Sequence, residues 1–270
     1  KFWSACDTHQ VTWFSVVPTI ISHLLHAAEN PGPATMSRIR FGRSASAPLA
    51  VETQRTFQSR FGIPIVETMG LTETAAQILS NPLPPGLRKI GSPGIAYGNE
   101  VAILYKDFNP LGPGMPGEIA VRGANVLLEY LDNPEVTEKT FAPGGWLLTG
   151  DLGHQDEQGY TFVTGRLKEL IIKGGENVAP REIDEALYCH EQVVEAAAFA
   201  RDCDVYGQTV EAAVRLADNA TVKEEELLAL CVSKLGKFKS PDHIYFLDEL
   251  PKGPSGKIQR RKLVEMFKMP

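Results

Sequence analysis

The chain has 270 residues, 43% hydrophobic and 22% charged, with a formal net charge of −6 and four cysteines. That length supports one large or two ordinary domains with real cores, and the acidic balance argues against a general polyanion binder, whose affinity comes from clustered Lys and Arg. Cys6, Cys189, Cys203 and Cys231 have neither zinc-site spacing nor the density of a disulfide scaffold, which points to free thiols in a reducing compartment. No charged leader precedes an apolar core and no run of ~18 apolar residues occurs, so the expectation is a cytoplasmic protein without a membrane span. The opening KFWSACDTHQVTWFSVVPT begins on an aromatic pair, without a polar lead-in or a starting methionine, and enters a buried-strand pattern almost at once. It reads as the start of a fragment whose N-terminal part is missing.

In chain order, VTWFSVV is β-branched and aromatic enough for a buried strand, and Pro18 then suits the first position of a helix carrying Ile20, Ile21, Leu24 and Leu25. RIRFGRSASAP gives a strand and a small-residue turn; the next helix starts near Pro48 and stops at Gly62, and IPIVETMG is the following strand. Strands alternating with crossover helices predict a parallel sheet, with ligands gathering at the carboxyl ends of its strands. From about 82 to 165, short strands punctuated by Pro and Gly predict a small β-barrel or sandwich packed on that layer. Beyond 165, PREIDEALYCH reads as a helix, VVEAAAFA and VEAAVRL as strands, and TVKEEELLALCVSKLG as a helix with a Thr221–Glu224 capping box, ended by Gly236. The strand HIYFL and the basic tail PKGPSGKIQRRKL follow, completing an α+β unit of ~100 residues.

Five stretches could carry chemistry. In ETMGLTETAAQ, Thr72 and Glu73 follow Gly70 at a strand end, where a hydroxyl and a carboxylate suit a phosphate oxygen and Mg2+; ordinary capping residues are the plainer reading. SASAP, residues 44–48, offers small side chains for a flat ring, or simply a strand-to-helix turn. In LLTGDLG, Asp151 lies between glycines, suited to accept both hydroxyls of a ribose or merely to make a turn. In TGRLKELIIKGGENVAP, Arg166 precedes Gly174 and Gly175, which make either a hairpin turn or a side-chain-free path for a thin ligand. PKGPSGKIQRR is no P-loop, because its glycines are too close and Ile258 follows Lys257 where Ser or Thr is needed. A Gly-Lys tip could still carry an ammonium to an anionic reaction centre; a nucleic-acid tail is the competing reading, but interleaved aromatics are missing.

The order of ETMGLTE, GSPG, LLTGD, GRLKELIIKGGENVAP and PKGPSGKIQRR resembles the C-terminal half of the adenylate-forming superfamily over essentially the whole chain, Trp3 to Phe267. SNPLPPG and ENVAPREID look most like acyl-CoA ligases of the coumarate, fatty-acid and oxalate type. The resemblance implies an α/β fold: the remainder of a large adenylate-forming core over 1–165, with its parallel sheet and a small β-barrel over about 82–165, a hinge at 166–168, and a small mobile α+β domain over 169–270. It implies ATP/AMP, Mg2+ and coenzyme A as ligands and a small carboxylic acid as substrate, with no nucleic-acid partner. By the same resemblance Ser46, Ala47 and Pro48 lie by adenine, Met69 stands where the family often has a tyrosine against that ring, and Gly70 belongs to the same cofactor-binding site. Thr72 touches the AMP phosphate, Glu73 holds Mg2+, Asp151 binds the ribose hydroxyls with Arg166 close by, Lys168 is the hinge, Gly174 and Gly175 line the pantetheine path, and Lys257 is catalytic.

The implied chemistry is attack of a carboxylate on the α-phosphate of ATP, loss of pyrophosphate, and displacement of AMP by the thiol of CoA. The family's Gly- and Ser/Thr-rich phosphate loop is absent from this sequence, so the chain alone is expected not to make adenylate. Ala76 stands where the oxalate-type ligases carry histidine, which tilts the expectation toward a more hydrophobic acid, for which Trp13 and Phe14 are candidate pocket residues or, more simply, core. Two other readings stay open: an adenylation domain that loads a carrier protein, and an inactive nucleotide-binding or interaction module.

Overall fold

The structure, a computed structural model, describes residues 1–75 and 77–268. The reading of Ala76 as a substrate-pocket residue lies outside the described residues. Three five-stranded sheets organise the chain. In the first, β1 (Trp13–Val16), β2 (Phe41–Ser44) and β3 (Ile65–Gly70) run parallel, and β4 (Gln77–Ser80) and β5 (Ile95–Ala96) continue it antiparallel. A helix precedes this sheet, α1 (Phe2–Thr8), so the expected near-immediate entry into a strand is corrected. Trp3 and Cys6, one turn apart, bury one face of that helix, and such a short apolar run does not distinguish helix from strand by pattern.

Helices α2 (Pro18–His26), α3 (Pro33–Arg38) and α4 (Val51–Phe61) fill the crossovers. Pro18 and Pro33 occupy first helical positions, where a missing N–H costs nothing. Gly62 closes α4 at φ +66°, donating its N–H to the Gln58 carbonyl. Ile21, Leu24, Phe57 and Phe61 pack with Phe14 and Ile65 into one core beneath the parallel strands. Gly42 in β2 faces Phe14 and Ile65 so closely that a Cβ there would overlap the phenyl ring.

The second sheet joins β6 (Glu100–Leu104), β7 (Gly117–Arg122), β9 (Trp146–Gln155) and β10 (Thr161–Arg166) antiparallel, with β8 (Phe141–Ala142) on β9. The barrel expectation is met as a half-barrel, with β6 and β10 at its two edges. Helix α5 (Pro134–Thr140) leads into β8, with the Asn133 side chain accepting the Val136 N–H at its start. Gly94 ties the half-barrel to the first sheet: its carbonyl accepts the Thr161 N–H, and a Cβ there would overlap the Ser80–Asn81 backbone.

The third sheet has the order β12 (Glu176–Val178), β11 (Ile171–Lys173), β14 (Gly207–Leu216), β13 (Val193–Cys203), with β15 (His243–Phe246) parallel to β14. Helices α6 (Pro180–Leu187) and α7 (Glu224–Lys239) cover one face over a core of Ile183, Leu187, Val210, Ala212 and Leu227. The expected Thr221–Glu224 capping box is not formed. Instead the Glu226 carboxylate accepts the Lys223 N–H at 3.3 Å, while Glu224 accepts from Ile244. Gly236 kinks α7 rather than ending it. The tail is not an open basic strand: a bridge between Lys252 and Ile258 forms a hairpin, and α8 (Arg260–Met266) follows, burying Leu263 beside Phe199 and Leu250.

Candidate active site

A cleft of about 500 Å3 opens where the three sheets meet, at the carboxyl ends of β2 and β3. The β2–α4 turn contributes Ser46, Ala47 and Pro48, and the end of β3 contributes Met69 and Gly70. Ser46 has φ +75°, so this turn folds tightly and keeps only small groups on the cleft wall. Thr72 and Glu73 lie on the same wall, but in a 3-10 turn, Thr72–Thr74, rather than at a helix start. The Thr74 hydroxyl closes that turn by accepting from the Leu71 N–H at 3.2 Å. Glu73 is held from the half-barrel side: the Tyr130 hydroxyl donates to its Oε1 at 2.9 Å, and the Leu127 N–H donates to its carbonyl at 2.7 Å.

Asp151 and Arg166 reach the cleft from β9 and β10. Asp151 sits within β9 and not on the turn that its flanking glycines suggested; it faces Arg166 directly in register. Its Oδ1 accepts from Arg166 Nε at 2.6 Å. Burial pushes the Asp151 carboxyl above the usual carboxylate range, opposed by Arg166 and, more weakly, by Lys257. Burial alone would lower the Arg166 pKa, but the bond and charge of Asp151, together with the charges of Glu169 and Glu73, outweigh it and the net direction is up. A buried carboxylate bonded to one cation and near a second is a strong acceptor for hydroxyl groups.

Lys257 enters from the Lys252–Ile258 hairpin. The Gly253 N–H donates to the Lys257 carbonyl at 2.9 Å, fixing the tip. Gly256, next to it, lies against Val17 and Thr19 at the start of α2, where a Cβ would come within 3.2 Å of Val17 Cγ2. The exposed Lys257 side chain thus shares one cleft with Ser46, Thr72, Glu73, Asp151 and Arg166.

Three other regions named from the sequence lie outside this cleft. Gly174 and Gly175 form the two-residue turn of the β11–β12 hairpin, at φ +58° and +87°, and do not line the cleft. Gly174 packs against Tyr206 and donates its N–H to the Tyr206 carbonyl. Lys168 is exposed in a 3-10 turn, Leu167–Glu169, that links β10 to β11. Trp13 and Phe14 do not line the cleft either: Phe14 is core, while Trp13 is 46% exposed and stacks on Phe41.

The sequence reading missed several groups in the cleft. Glu67, in β3, is buried; its Oε1 accepts the Leu49 N–H and its Oε2 has no partner. Burial raises its pKa to about 7, with Arg181 opposing. Arg260 lies under the cleft floor, donating to Asp184 at 2.5 Å, the Ala198 carbonyl at 2.7 Å and Glu169 at 3.1 Å. Neither had a local signal beyond its charge, since both depend on contacts more than 50 residues away or on depth within a strand.

Residues 1–131 match the family model of the AMP-binding enzyme, and residues 182–257 match that of the AMP-binding enzyme C-terminal domain. The chain belongs to the AMP-binding enzyme family. Among its relatives, the sulfoacetate–CoA ligase of Cupriavidus necator is 49% identical over 97% of the chain and 51% of its own length. The oxalate–CoA ligase of Saccharomyces cerevisiae is 41% identical over 98% of the chain and 49% of its own length. The chain therefore spans about half the length of the curated relatives it matches. The crystal structure of ATP-bound MatB from Rhodopseudomonas palustris superposes with a TM-score of 0.87 at 34% identity, over 96% of this chain and 51% of that one. The apo form of the same protein superposes at 0.72. No helix among the described residues is long and apolar enough to cross a membrane.

Proposed function

We propose that the whole protein is an ATP-dependent carboxylic acid–CoA ligase, forming an acyl adenylate and then an acyl-CoA thioester. The observation that carries this reading is the convergence of Lys257, on the hairpin that follows the third sheet, with Asp151 and Arg166 in one cleft where the three sheets meet. The CoA-ligase names of both relatives and the better superposition on an ATP-bound neighbour than on its apo form support it.

In this reading the Ser46–Pro48 turn, Met69 and Gly70 receive the adenine, and the Asp151 carboxylate accepts the ribose hydroxyls while Arg166 keeps it charged. The Thr72 hydroxyl donates to the α-phosphate. The substrate carboxylate and ATP are both anionic, so the step needs cations aimed at the charge that develops during attack. Lys257 supplies one at the hairpin tip. Glu73 and Thr72 offer hard oxygen donors side by side on the cleft wall, the donor type that suits an ion shared with substrate phosphates. Mg2+ bound through Glu73 would neutralise phosphate charge there. Tyr130 holds the Glu73 carboxylate in place for that role.

The second step needs a different face. Gly174 and Gly175 sit on the third sheet, away from the cleft, so the unit after 166–168 is proposed to turn at Lys168, withdrawing Lys257 and presenting the glycine turn to the pantetheine chain. The test is product analysis of the whole protein with ATP, CoA and a panel of oxalate, sulfoacetate, aromatic and fatty acids. Acid-dependent AMP and acyl-CoA formation is expected. Pyrophosphate release with no thioester on CoA would instead favour a carrier-loading domain.

A further inference from the structure

Glu195 breaks the pattern of its strand. It stands in the apolar run VVEAAAFA of β13, and its side chain is 0% exposed. A buried carboxylate is costly unless paired, and here the partners come from two separate parts of the molecule. Glu195 Oε1 lies 2.7 Å from His23 Nε2, on α2 beneath the first sheet, and 2.9 Å from Lys252 Nζ. Arg215, opposite Glu195 in register on β14, brings its guanidinium within 2.9 Å of the same His23 nitrogen, and Glu249 flanks Lys252 at 3.6 Å. Glu195 Oε2 has no partner, so the His23 imidazole and the Lys252 ammonium converge on one oxygen.

Lys252 is the base of the hairpin that bears Lys257: it pairs with Ile258, and the next residue, Gly253, holds the Lys257 carbonyl. The carboxylate therefore joins the root of the Lys257 hairpin to α2. The hairpin tip rests on the start of that same helix, at Val17 and Thr19, so the hairpin meets α2 directly at its tip and through Glu195 at its root. Around the junction the contacts are also polar. Ser22 donates to the Val194 carbonyl at 2.5 Å, and His26 Nε2 lies 3.0 Å from the Glu191 carbonyl.

We propose that Glu195 is a positioning residue for the adenylate-forming step: by bridging His23 and Lys252 it docks the third-sheet unit on α2 and seats Lys257 in the cleft. The proposal rests on the ligase reading above. A seam of hydrogen bonds and one buried charge fixes geometry when docked, yet water can replace the His23 contact when the unit swings away, while Lys252 travels with Glu195. Despite burial, the bonds to His23 and Lys252 hold the Glu195 carboxyl below its usual pKa, so the docked arrangement favours its charged form.

The experiment measures the two half-reactions of the whole protein separately, with the acid that the parent activates best from the panel. One is pyrophosphate release without CoA; the other is thioester formation from supplied acyl adenylate and CoA. Glu195→Gln keeps the shape and removes the charge. It is expected to slow pyrophosphate release by roughly ten-fold or more, since small displacements of a reacting group cost rate steeply, with the KM for ATP nearly unchanged and the thioester step at about the parental rate. His23→Ala, a half-exposed residue on a helix surface, should give the same split, and adding it to Glu195→Gln should cost nothing further. His23→Ala carries the test alone if Glu195→Gln does not fold. Parallel loss of both half-reactions, parental pyrophosphate release, or multiplying effects in the double variant would each overturn the positioning role. Absence of acid-dependent pyrophosphate release from the parent would overturn the ligase reading itself, and the proposal with it.

Discussion

Asp151 and Glu67 are both buried carboxylates lining one cleft, and burial raises the pKa of each, but of the two only Asp151 is hydrogen-bonded to a cation. Asp151 has Arg166 at 2.6 Å and stays available as an acceptor. Asp151→Ala should weaken AMP binding by roughly ten- to a hundred-fold, the scale of losing charged hydrogen bonds, as read by calorimetry. Glu67 has only the Leu49 N–H on one oxygen, and its pKa of about 7 exceeds that of a free glutamate. Between about 4.5, the ordinary value, and about 7 the folded chain keeps a proton that the unfolded chain has released, so stability falls as pH rises through that window. Glu67→Gln should remove that slope, gaining on the parent by up to about 3 kcal/mol at pH 7 and above, measured by urea unfolding across the range. A parallel pH dependence in both proteins would mean that Glu67 ionises normally. The sequence displayed Asp151 between its glycines, but Glu67 was invisible there, because what marks it is depth within β3 and not a neighbouring motif.

At the scale of elements, proline and glycine made much of the order legible. Pro18 and Pro180 start α2 and α6 as expected, Gly62 ends α4, and the glycine pair at 174 and 175 turns a hairpin. Local signals failed where partners are distant. The α7 start was misread because Gln192 takes the Thr221 N–H and Glu224 is drawn to Ile244 of β15, leaving Glu226 to satisfy the helix. Helix α8 was missed because its basic residues read as a solvated tail, whereas Arg260 points inward to Asp184, Glu169 and the Ala198 carbonyl. Asp184 and Glu169 raise the Arg260 pKa further, against its burial. Removing one member of a buried ionic network leaves uncompensated charge, so Arg260→Ala should cost about 3–5 kcal/mol in urea unfolding. A loss under about 1 kcal/mol would show that α8 is held by Leu263 and Phe267 alone.

For the molecule as a whole, the three-part plan followed from pattern: a crossover layer, a β-rich stretch and an α+β unit. Their meeting at one cleft did not, since hydrophobic periodicity says which face is buried and nothing about which sheet it meets. The ordered motifs supplied the missing link by resemblance, and the structure sets Ser46, Thr72, Asp151 and Lys257 around a single space. The seam through Ser22, His23 and His26, and the bond from the Val51 N–H to Glu185, had no trace in the sequence. Polar contacts between units have no periodicity to betray them. They also suit a unit that docks and releases, because an apolar interface of the same extent would resist separation in water.

On the ligase proposal, that movement makes Lys257 the decisive residue, needed in one half-reaction and absent from the other. Lys257→Ala in the whole protein, assayed for pyrophosphate release without CoA and for thioester formation from supplied acyl adenylate, tests this directly. The expected result is a loss of about 10²–10³-fold in the first with the second close to the parental rate. Equal rates of pyrophosphate release in the variant and the parent would contradict the assignment of the cleft and of the cation that enters it.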